Sequence, residues 1–141
     1  MSTEGELIRV TGSADETFLD DVHRALAELW QLAPANDEDR MLFELAVVEV
    51  ATNIVQHGAS DLGPVEARLD LEATDDDLIA VFRDSANPPI LDLSRVAMPD
   101  TDAEAGRGLA LALAALDELS HLTDEGNTWR LRRRRREPSA D

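Results

Sequence analysis

The 141 residues carry 30 acids against 13 arginines and no lysine, a formal net charge of −17, with 43% hydrophobic and only 4% aromatic residues. With no cysteine, disulfides, thiolate metal sites and thiol nucleophiles are excluded, and the acidic balance disfavours direct binding to nucleic acid or an anionic membrane. The length suits one domain with an aliphatic core; no apolar stretch reaches the ~18 residues of a membrane span, no run reads as a signal peptide, and the expected compartment is the cytoplasm.

Residues 7–10 predict a short strand, stopped by Gly12. From 15 to 32, Phe18, Leu19, Val22, Ala25, Leu26 and Leu29 recur at helical spacing, with Ser13 or Asp15 as the cap. Pro34 and Asn36 mark a loop, and a second helix runs over 37–57, closed by Gly58 in the usual C-terminal glycine position. In that helix Glu49, Asn53 and His57 are four residues apart, so a carboxylate, an amide and an imidazole share one face of a segment otherwise rich in Ala, Val, Ile and Leu. Burying the neutral groups unpaired would cost roughly 2–7 kcal/mol each, and the charge more. The stripe therefore faces either water or a polar ligand. A carboxylate beside an amide oxygen suits a hard cation such as magnesium.

Residues 65–73 alternate apolar and polar, the pattern of a half-buried strand, and 74–77 make a turn. Residues 78–82 are more continuously apolar, as in a central strand, and end at Arg83-Asp84. Asp84 reads either as a turn-starting residue or as a carboxylate for a ligand amino group, such as the exocyclic amine of adenine, where a charged hydrogen bond contributes roughly 1.5–3 kcal/mol. Residues 85–105, with Pro88, Pro89 and Pro99, read as a long loop. Gly106-Arg107-Gly108 opens an Ala/Leu helix from 109 to about 119. That start is either a plain loop–helix junction or a phosphate cradle of backbone N–H groups at a helix N-terminus. No Walker loop and no dinucleotide fingerprint surrounds it. Residues 121–123 and 128–132 pair as a hairpin around Asp124-Glu-Gly-Asn127. Arg132 to Arg136 reads either as a solubilising run or as a partner contact. The expected division is one domain over 1–132 and an Arg-rich flexible tail over 133–141. Without the five arginines and two acids of the last ten residues, 8 arginines against 28 acids leave a body of −20. The element order predicts an α+β two-layer sandwich, helices on one face of a mixed, mainly antiparallel sheet.

Order and spacing join these signals. Glu49-x-x-x-Asn53-x-x-x-His57-Gly58, then Asp84 after a strand, then a loop, then Gly106-x-Gly108-Leu109, resembles the GHKL ATPases with the Bergerat fold. Among these the chain looks most like the small anti-sigma-factor serine/threonine kinases of the RsbW type, over about residues 5–132. The resemblance implies ATP and magnesium as cofactors. Asn53 would ligate magnesium, Glu49 would be the catalytic acid–base residue, and His57 would support the magnesium end of the site. Asp84 would read the adenine amino group. Gly106, Arg107, Gly108 and Leu109 would hold the phosphates below a lid over 90–105. It also implies partners: a sigma factor, an anti-anti-sigma (STAS-domain) protein carrying the phosphorylated Ser or Thr, and a second copy of the chain in a homodimer. One position departs from the pattern. Ala86 stands where the family often has a glycine, and Pro88-Pro89 stiffen the adenine loop. That departure leaves an alternative, a nucleotide-gated binding module with little or no kinase activity.

Overall fold

The computed structural model describes residues 6–57, 65–85, 110, 114–123 and 126–136, the side chains of Glu6 and His57 excepted. Its elements run β1 (Glu6–Ser13), α1 (Glu16–Leu32), α2 (Asp37–His57), β2 (Glu66–Ala73), β3 (Asp77–Asp84), β4 (Glu118–Thr123) and β5 (Asn127–Arg134). The five strands form one sheet in the order β1-β2-β3-β5-β4, and every pairing in it is antiparallel. Helix α1 packs on β1 and β2, α2 on β3 and β5, and the helices pack on each other. This is the expected α+β two-layer sandwich.

Local chemistry sets the helix starts. The Asp15 carboxylate accepts from the N–H groups of Thr17 (3.0 Å) and Phe18 (3.3 Å), capping α1. The Asn36 side chain accepts from the Asp39 N–H (2.7 Å) at the start of α2. Period-two alternation then builds the floor of the core. Strand β2 turns Ala67, Leu69, Leu71 and Ala73 inward, β3 turns Leu78, Ala80, Phe82 and Asp84, and β5 turns Asn127, Trp129, Leu131 and Arg133. Leu69, Phe82 and Trp129 form one row across the sheet, and Leu71, Ala80 and Leu131 the next. Phe18 and Phe43 descend on them from the helices, fully buried, each contributing about 1.5–3 kcal/mol through the apolar surface removed from water.

Polar residues occupy the two ends of that inward face, Asp84 with Asn127 at one end and Arg133 at the other. Arg133 corrects the expectation of a flexible tail beginning at 133. The inward phase of β5 carries it beneath α2, and a buried guanidinium must be paired. Its Nε donates to Asp39 Oδ1 (2.9 Å) and its Nη1 to the carbonyl of Ala115 (2.8 Å). Asp39 Oδ2 accepts the Arg136 N–H (2.8 Å), and the Arg135 guanidinium donates to the carbonyls of Thr74 and Pro34 (2.7 Å each). Residues 133–136 thus tie the last strand to both helices' junction and to the β2–β3 turn; 137–141 lie outside the described residues.

A second correction concerns the helix expected to reach about 119. Ala114 and Ala115 are helical, but Glu118 already belongs to β4, and Leu119 faces Leu131 across the ladder. Asp117 makes the break. Its N–H donates to the Arg132 carbonyl (2.8 Å), and its carboxylate accepts from the Arg136 guanidinium (2.8 Å) and the Arg134 N–H (2.6 Å). Those bonds, the Arg136 side chain first, hold the Asp117 carboxyl below the usual carboxylate range.

Candidate functional site

Helix α2 sets Phe43, Ala46, Val47, Val50, Ala51 and Ile54 against the sheet. Glu49 and Asn53 each precede a buried residue of that set, and both are half-buried. The polar stripe therefore borders the core face rather than standing out in solvent. Among the described residues neither side chain has a hydrogen-bond or ion-pair partner. His57 is the last residue of the helix.

Asp84 ends β3 on the helix-facing side, 8% exposed. Three neighbours fix it. Asn127 lies directly opposite across the β3–β5 ladder and donates from Nδ2 to Asp84 Oδ1 (2.9 Å). Ser85, the next residue, donates its N–H to the Glu66 carbonyl (3.0 Å) and accepts the Glu66 N–H at Oγ (2.9 Å). Gly126 presses its backbone on the Asp84 carbonyl; at φ 116° a Cβ there would sit 2.3 Å from that oxygen, so the position requires glycine. Behind Asn127, His121 Nε2 meets Asn127 Oδ1 at 2.8 Å, and its ring stacks on Trp129 with centroids 4.1 Å apart and planes 22° from parallel.

An open cleft of about 540 Å³ at this end of β1, β2 and β3 is lined by Thr11, Ser13, Arg68, Arg83, Asp84 and Ser85 among others; Glu49 and Asn53 are not part of it. Most of its lining belongs to the helix-free face, so it lies behind the Asp84 carboxylate rather than between sheet and helices. Asp70 sits nearby on the same face. Burial pulls its carboxyl up, but hydrogen bonds from Arg9 and Arg68 outweigh that and hold it below the usual range.

Of the residues singled out in the sequence, the structure describes Glu49, Asn53 and Asp84 and the backbone of His57. Ala86, Gly106, Arg107, Gly108, Leu109 and the lid over 90–105 lie outside the described residues. Sequence reasoning missed Asn127 and His121, because a turn-type residue and a strand histidine carry no local signal of contact with Asp84. The glycine before Asn127 was the available clue, since it marks where the hairpin closes on another strand. As to magnesium, the half-buried Asn53 is an oxygen donor of the right kind. No group of three or more His, Asp or Glu is placed to hold a metal among the described residues. That donor set fits an ion held by one or two protein oxygens and a ligand's phosphates, not an all-protein cage.

Residues 12–133 match the family described as Histidine kinase-like ATPase domain. No curated protein sequence matches the chain. Among solved structures, the RsbU and RsbW domains of Rv1364c from Mycobacterium tuberculosis are similar, with a TM-score of 0.65 and 22% identity over 94% of this chain and 33% of that one. The histidine kinase domain of the blue-light activated kinase EL346 from Erythrobacter litoralis is similar at a TM-score of 0.54 and 18% identity, over 82% of this chain and 58% of that one. The chain thus spans about a third of the first protein and under two-thirds of the second, and at these identities the likeness is one of fold. The family match covers most of the sequence: the chain belongs to the histidine kinase-like ATPase domain family.

Proposed function

We propose that the protein binds ATP and magnesium and transfers the γ-phosphoryl group to a serine or threonine of an anti-anti-sigma (STAS-domain) partner, sequestering a sigma factor when that partner is unavailable. The observation that carries the ATP reading is the buried Asp84 carboxylate, bonded by Asn127 at a strand end whose backbone Ser85 and Gly126 hold, in a histidine kinase-like ATPase domain. Such a carboxylate is an acceptor at a fixed place, suited to the adenine amino group. Asn53 Oδ1 would hold the magnesium, which supplies charge neutralisation on the phosphates when bound. Glu49, one helical turn earlier, would take the proton of the attacking hydroxyl as its oxygen bonds to the γ-phosphorus and the bond to ADP breaks. His57 at the helix end would support the metal side, and Gly106, Arg107, Gly108 and Leu109 the phosphates. The partner-switching part of the proposal is supported by the resemblance to RsbW-type kinases and by likeness to a structure that includes an RsbW domain. A cytoplasmic homodimer belongs to the same reading; no helix among the described residues is long and apolar enough to cross a membrane.

The test is transfer of labelled phosphate from ATP to a STAS-domain protein. Glu49→Gln is expected to abolish transfer and to leave ATP affinity within about twofold, since the lost group acts on the proton. Undiminished transfer would remove Glu49 from its role. Tight partner binding by the wild type without any transfer would favour the nucleotide-gated binding module that Ala86 suggests.

A further inference from the structure

We infer that His121 is a positioning residue for the Asp84 carboxylate, acting through Asn127. The inference rests on Asp84 being the adenine-reading group proposed above. A carboxylate only accepts hydrogen bonds, whereas an amide has one accepting and one donating end. Asp84 therefore selects the nitrogen of Asn127, the arrangement of the 2.9 Å contact in the structure. The Asn127 oxygen is then turned to His121 at 2.8 Å, and this contact needs a donor. The imidazole must carry a proton on Nε2. A ring protonated on Nδ1 alone would set a lone pair against the amide oxygen, or would turn the amide and set its oxygen against the carboxylate.

The ring itself is held. It stacks on Trp129, which is 5% exposed and sits opposite Phe82 in the floor of the core. A polar chain thus runs from the half-exposed ring on β4, through β5, to the buried end of β3, and the orientation of each member is set by the next. The consequence is selectivity. Asp84 stays an acceptor aimed in one direction, which rewards an amine on the bound purine and repels a carbonyl in its place. His121, acting through Asn127, would thereby contribute to the choice of ATP over GTP.

The experiment is calorimetric titration of ATP and of GTP, each with magnesium, into the wild-type chain and the variants His121→Ala, His121→Gln and Asp84→Asn. Loss of one neutral orienting bond predicts that His121→Ala binds ATP about fivefold more weakly and binds GTP no more weakly than wild type. His121→Gln offers an amide N–H to the same oxygen and is expected to recover most of the loss. Equal losses for both nucleotides, or no recovery with glutamine, would mean that the ring acts only by packing on Trp129 and would overturn the inference. Unchanged ATP affinity in Asp84→Asn would instead overturn the adenine reading. Nitrogen-15 spectra of the wild-type imidazole then decide the relay on their own: a proton on Nε2 supports it, and a proton confined to Nδ1 refutes it. The same spectra serve if a variant fails to fold.

Discussion

Replacing Asp39 by alanine strips a buried guanidinium of its only described carboxylate. The side chains of Asp39 and Arg133 are 1% and 5% exposed, and their Oδ1 and Nε are 2.9 Å apart. Deleting one member of such a pair leaves an uncompensated charge in the interior, at a cost of about 3–5 kcal/mol. The Arg136 N–H loses its acceptor as well. For a domain of this size each kcal/mol lowers Tm by roughly 3–5 °C, so Asp39→Ala should lower Tm by about 10–25 °C. Arg133→Met should fall in the same range, since it strands Asp39. The double variant Asp39→Leu with Arg133→Met removes both charges. Its residual losses are the donor to the Ala115 carbonyl, about 1–2 kcal/mol, and the acceptor of the Arg136 N–H, which water can replace at that exposed residue, so it should be more stable than either single variant. Urea and thermal unfolding followed by circular dichroism measure all three. A cost for Asp39→Ala below about 1 kcal/mol, or a double variant whose loss equals the two single losses together, would refute a coupled buried pair.

Two further outcomes are expected. Gly126→Ala places a Cβ against the Asp84 carbonyl at a positive φ, which should cost about 1–3 kcal/mol in unfolding experiments and weaken ATP binding, because the strand end must shift; ATP affinity equal to wild type would show that this turn does not fix Asp84. Asp70 should contribute acid-sensitive stability. Its folded carboxyl lies below its unfolded value through the bonds from Arg9 and Arg68, opposed by burial, so its contribution is present above the ordinary carboxylate pKa and fades as pH falls through the folded value. The stability gap between wild type and Asp70→Asn should therefore be flat from neutral pH to about pH 5 and close below about pH 4; a gap that widens on acidification would contradict it.

The sequence made the helices legible because their signals are local: Asp15 as a candidate cap, the Phe18-Val22-Leu26-Leu29 stripe and the Pro34-Asn36 loop before the second helix are each read within a few residues. Strand β2 was equally plain, from its alternation. The arginine run was not. Five consecutive arginines look like a solvated tail, and only the pairing of β5 with β3 puts the second of them on the inward face, opposite Leu78. Leu119 misled for a similar reason, since an Ala/Leu run continues into β4 and Asp117 alone signals the break. At the site, Glu49, Asn53 and Asp84 stood out as polar groups at odds with apolar surroundings. Asn127 and His121 did not, because Asn127 meets Asp84 only across a 43-residue separation that the sheet closes, and His121 meets Asn127 rather than Asp84.

The proposed adenine nucleotide site stands or falls on Asp84 as its base end. The direct measurement is titration of the full chain with ATP and magnesium, beside Asp84→Asn. Saturable binding by the wild type is expected, with a loss of at least about tenfold in the variant, the equivalent of one charged hydrogen bond of about 1.5–3 kcal/mol. No saturable binding by the wild type, or equal affinities for both proteins, would contradict it.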